Sequence, residues 1–110
     1  MEDPITHKSS KNFFEFLANA VVEALEEIFG SVAAQAIINM IAELDQSSRE
    51  SVLRDPKAIH IGLLGLFGKE GKIIERRILQ ILRENVEVQI DVDGDFLKEL
   101  EKVALSYFML

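Results

Sequence analysis

No cysteine occurs anywhere in the 110 residues. Disulfide staples and thiolate chemistry are therefore excluded, and a reducing cytoplasm is the simplest compartment. The amino-terminal stretch MEDPITHKSSKNFF lacks the apolar core and small-residue cleavage site of a secretory signal. The longest uninterrupted apolar stretch, residues 61–68, is far short of the roughly 20 residues needed to cross a bilayer. Neither G-x-G-x-x-G nor G-x-x-x-x-G-K-[ST] is present, so no dinucleotide or phosphate loop is expected. The two histidines, His7 and His60, have no H-E-x-x-H pairing, and no G-x-S-x-G elbow accompanies the serines. These absences favour a protein without catalytic residues, cofactor or metal.

What the chain does have is grease and an uneven charge. Hydrophobic residues make up 48% and the mean hydropathy is +0.13, high for a small monomer whose surface must stay wet. Some apolar surface is expected to meet a partner, a second copy of the chain being the simplest. The net charge of −7 divides into −6 over residues 1–48, +4 over 49–83 and −5 over 84–110. Such asymmetry marks a binding face or charges that attract one another within the fold.

Periodicity predicts a mainly α protein of about five to six helices in one domain, after a loose arm at residues 1–9. From about Ser10, the residues Phe13, Leu17, Ala20, Val21, Ala24, Leu25 and Ile28 recur at helical spacing until Gly30. Residues 31–44 form a helix whose polar groups reduce to Gln35, Asn39 and Glu43, so most of its sides need cover. Ser47 and Glu50 fit a capping box, and Asp55-Pro56 a cap followed by proline at the first helical position. That next helix closes at Gly68. Residues 69–84 read as an amphipathic helix. Residues 86–92 alternate strictly, the period of a half-buried strand, before the Asp93-Gly94 turn and a last helix capped by Asp95.

Four of the six glycines crowd into GLLGLFGKEG, residues 62–71. Shifting the sequence by 38 residues lays Ala20, Leu25, Phe29, Gly30 and Leu44 over Ala58, Leu63, Phe67, Gly68 and Leu82, all identities. The cluster is thus the second copy of a helix, Phe-Gly turn, helix unit, and the chain reads as tandem helical hairpins. Gly62 and Gly65 then serve close helix approach, which must outweigh a propensity loss of roughly 1 kcal/mol each.

Two surfaces are candidates for contact. Lys69, Lys72, Arg76 and Arg83 fall within about 60° on a helical wheel, with Arg77 nearby, and could track polyanion phosphates. A pI near 4.8 argues against the basic footprint of a nucleic-acid binder, leaving that as the alternative reading. The expected strand needs a partner, because a lone strand leaves its backbone unpaired. Pairing of Val86, Val88, Ile90 and Val92 with a second subunit, or with residues 107–110, would supply one. The acidic run from Asp91 to Asp95 lacks the ligand spacing of a calcium loop and reads as turn and helix cap.

The stretch ALEEIFG…IINMIAEL…VLRDPKAIHIGLLGLFGKEGKIIERRILQIL resembles the archaeal Nitrosopumilus output domain of the fifth type. The likeness spans residues 20–83 and rests on the two Phe-Gly turns, Asp55-Pro56 and Ile73-Ile74-Glu75. It implies a helical module, sometimes attached to signalling proteins, with no catalytic residues to transfer. The expectation is a non-enzymatic, self-associating protein-protein interaction or signalling output module in the cytoplasm, with no membrane span.

Overall fold

The computed structural model describes residues 10–108. The expected arm at residues 1–9, and Met109 and Leu110 as strand partners, lie outside the described residues. Six α-helices run in chain order among the described residues: α1 Ser10–Phe29, α2 Ser31–Asp45, α3 Arg49–Leu53, α4 Pro56–Phe67, α5 Gly71–Arg83 and α6 Phe96–Phe108. A single 3₁₀ turn, Gly68–Glu70, joins α4 to α5.

Each helix boundary has a local cause. Gly30 (φ 87°, ψ 163°) and Gly68 (φ 59°, ψ −139°) both hold positive φ, which a side chain disfavours. Neither is the left-handed helical cap that a Phe-Gly ending suggests, because ψ is extended at both. The chain therefore turns sharply and restarts a helix within one residue at Gly30. Asp55 caps α4 through the N–H groups of Lys57 (3.1 Å) and Ala58 (3.3 Å), and Pro56 follows as expected. Asp95 caps α6 by accepting from the Lys98 N–H at 2.9 Å. The cap of α3 falls one residue later than the sequence predicts. Ser48 accepts from the Ser51 N–H at 3.1 Å, while the Ser47 hydroxyl donates to Asp45 at 2.7 Å.

The helices pack as two hairpins that exchange partners. α1 lies on α2 and α5, and α4 lies on the same two helices, so exchanging the hairpins maps the α1–α5 contact onto the α4–α2 contact. Three equivalent pairs share their burial: Leu25 and Leu63 are fully buried, as are Val21 with Ile59 and Ile41 with Leu79. The rings of Phe29 and Phe67 stack on each other, with centroids 5.4 Å apart and planes at 18°. α3 rests on α2 and α4, and α6 packs on α1, α4 and α5.

The expected strand does not form; no strand occurs among the described residues. Residues 86–92 nonetheless bury one side, since Ile90 and Val92 are in the core and Val86 and Val88 are half-buried. Alternation reports one-sided burial, and the core satisfies that without a ladder. Backbone bonds come instead from side chains and turns. The Asp91 N–H donates to the buried Glu99 carboxylate (3.0 Å), and the Gly94 N–H to the Asp91 carbonyl (3.0 Å).

Candidate functional site

The glycine cluster sets the geometry of α4. A Cβ on Gly62 would stand 2.6 Å from Ile41 Cγ2, so α2 and α4 approach as closely as hydrogen allows. A Cβ on Gly71 would stand 2.8 Å from the Leu63 carbonyl oxygen, a second close approach. Gly65 differs. Its nearest neighbour would be Leu44 Cδ1 at 3.8 Å, ordinary contact, so close packing does not require glycine there.

With α2 and α4 drawn together at Gly62, their outer sides form one apolar face. Val32 is 86% exposed, Leu44 58% and Met40 41% on α2, and Ile61 is 64% exposed and Leu64 40% on α4. The repeat shows why this face is unusual. Met40 and Leu44 are the counterparts of Ile78 and Leu82, which are both fully buried on α5. α6 packs on α5, and the segment before α6 is tied to it through Lys72 and Arg76. Among the described residues, α2 has no comparable cover on Met40 and Leu44. It is covered on its polar strip, where Arg49 of α3 donates to the Asn39 side chain (2.7 Å) and to the Gln35 side chain.

The five basic candidates do not form one free positive strip. Arg77 makes a two-pronged bond with Glu27 of α1, Nε to Oε1 at 2.6 Å and Nη2 to Oε2 at 3.1 Å. That contact holds the Glu27 carboxyl below its ordinary range and raises the Arg77 guanidinium further. Arg76 pairs with Asp93 at 3.0 Å, and Lys72 donates to the Gly94 carbonyl at 3.2 Å. Lys69 and Arg83 are exposed and make no ion pair among the described residues. Part of the charge asymmetry of the sequence is thus spent within the fold, with Arg76 and Arg77 of the middle segment paired to Asp93 and Glu27 of the ends. Of the strand candidates, Ile90 and Val92 are buried within the chain and Val86 and Val88 half-buried.

Two buried carboxylates emerge that the motifs did not flag. Glu75 of α5 is bonded to His60 Nδ1 of α4, and the His60 ring stacks on Phe96 of α6 at 6.0 Å. The signal was present: at about 100° per residue, Glu75 falls on the apolar side of α5, between Leu82 and Leu79. Glu99 takes the Lys102 ammonium (2.8 Å) and the Asp91 N–H. These two contacts, Lys102 foremost, hold its carboxyl below the usual range against the opposing pull of burial. Among the described residues, no buried side-chain nitrogen or oxygen lacks a hydrogen-bond partner, and no group of three or more His, Asp or Glu could hold a metal ion. No helix is long and apolar enough to cross a membrane.

Comparison with family models, curated proteins and solved structures finds no match to this chain.

Proposed function

We propose that the protein is a non-enzymatic helical interaction module that self-associates through the outer face of α2 and α4. The observation carrying this reading is the uncovered position of Met40 and Leu44, whose repeat counterparts Ile78 and Leu82 are buried. A second copy is the favoured occupant on grounds of charge. Two chains of net charge −7 repel wherever acidic surfaces meet. Val32, Ala36, Met40, Leu44, Ile61, Leu64 and Gly65 are uncharged, and Glu43 of α2 and Lys57 of α4, opposite in charge, are the exposed charges beside them. Large and small residues alternate there, Val32 with Ala36 and Met40, Ile61 with Gly65, so ridges of one copy find grooves in the other. A two-fold pairing uses the same patch twice.

The role as a signalling output module, the archaeal kinship and the cytoplasmic setting are carried by the sequence resemblance and the lack of cysteine. Nucleic-acid binding is the second reading and would rest on Lys69 and Arg83. The two readings separate by salt, since phosphate contacts weaken as counterions compete whereas an apolar contact does not.

Because the chain has no cysteine of its own, Met40→Cys reports directly on this face. Oxidation is expected to trap a covalent dimer of that variant and not of Lys102→Cys, placed on α6. Equal cross-linking of both, or of neither, would contradict the pairing.

A further inference from the structure

We propose that the groove between α1, α4 and α6, away from the α2 and α4 outer face, binds a monomeric amphipathic anion, an alkyl chain ending in a carboxylate. Its volume is about 470 Å³, within the ~300–1,000 Å³ typical of small-molecule sites. Phe13 and Leu100, both buried, lie at its floor. Phe14, Pro56, Leu97 and Ala104 line it as half-buried walls. Among the described residues, the charged groups lining it are at the exposed rim: Lys57, Lys98 and Glu101.

The lining selects the body of the ligand. Hydrocarbon and aromatic walls with no polar group below the rim gain from dehydrating an alkyl chain and offer nothing to a sugar or a base.

The rim selects its head. In a chain with seven more acids than bases, Arg76, Arg77 and Lys102 each hold a carboxylate. The Lys57 and Lys98 ammonium groups hold none among the described residues, although both flank one apolar groove. Two unpaired cations opposed by a single carboxylate, Glu101, leave the mouth locally positive on an acidic protein. A carboxylate seated between them supplies the counter-charge that Glu101 alone does not, while the alkyl chain covers Phe13 and Leu100.

Calorimetric titration of the full chain with octanoate, decanoate and dodecanoate, each below its micelle concentration, tests this. Affinity is expected to rise with length by up to about four-fold per buried methylene and to level off once the groove is full. The matching alcohols should bind several-fold more weakly. Lys57→Gln with Lys98→Gln, both at exposed positions, should bring the carboxylate down to the alcohol's affinity, and Ala104→Phe should block both. The proposal is overturned if no carboxylate binds, if the double lysine variant binds carboxylates as well as the parent, or if the chain sediments with phosphatidylglycerol vesicles while ignoring monomeric carboxylates.

Discussion

Phe29 and Phe67, 38 positions apart in sequence, stack ring on ring with centroids 5.4 Å apart. They close the two Phe-Gly turns against each other, and each is followed by a glycine at positive φ. The contact ties the ends of α1 and α4, the two helices that share α2 and α5 as partners. Offset aromatic pairs contribute about 0.5–1.5 kcal/mol beyond their area. A double-mutant cycle with Phe29→Leu and Phe67→Leu, read by urea unfolding, should return a coupling energy of that size. Gly30→Ala and Gly68→Ala should each cost about 1–3 kcal/mol from backbone strain alone, as no atom crowds either position.

The glycines within α4 should respond in opposite directions. Gly62→Ala meets Ile41 and is expected to destabilise by about 1–3 kcal/mol. Adding Ile41→Ala should make the two changes non-additive, because the clash is then gone. Gly65→Ala has room and should stabilise by about 0.5–1 kcal/mol through helix propensity. Unfolding free energies of the parent, Gly62→Ala, Ile41→Ala, the double variant and Gly65→Ala, five proteins, check all three expectations.

Glu99 gives a pH signature. Its folded carboxyl is held below the ordinary range by Lys102 and the Asp91 N–H. The stabilisation is therefore complete above the unfolded value of about 4.3 and is lost as pH falls through the lower folded value. The stability difference between the parent and Glu99→Gln should be constant near neutrality and shrink steadily below about pH 4. Urea midpoints measured at successive pH values follow it; a difference that grows on acidification would show the opposite sign.

The buried Glu75 should make His60 costly to remove. His60→Ala leaves the carboxyl without its partner in the core, which is expected to cost about 1–3 kcal/mol. Pairing it with Glu75→Leu should recover most of that loss, since apolar replacement of both partners leaves no orphan. Unfolding free energies of the two single variants and the double variant decide this.

Features that a few neighbouring residues determine were legible from the chain. The Phe-Gly turns, the Asp55-Pro56 start, the Asp95 cap and the period of α1 and α5 follow from glycine conformations, short side-chain caps and 3.6-residue spacing. The partner of each charge was not legible, because it is set by packing: Arg77 meets Glu27 from 50 residues away. His60 and Glu75 are 15 apart. The strand expectation failed for the same reason, since Ile90 and Val92 pack inward on helices that their own alternation does not name. The apolar α2 and α4 surfaces were visible as surplus hydrophobicity. That α5 is covered where α2 is bare required the fold.

Sedimentation equilibrium across low to high micromolar concentrations, on the parent and on Leu44→Glu with Ile61→Glu, bears on the interaction face without intermediaries. Both substituted side chains are more than half exposed, so the variant should keep its helical circular dichroism. The parent should pass from monomer to dimer with rising concentration, insensitive to salt, and the variant should stay monomeric throughout. A parent that remains monomeric at every concentration, or a variant that dimerises as well as the parent, would contradict the assignment of this face.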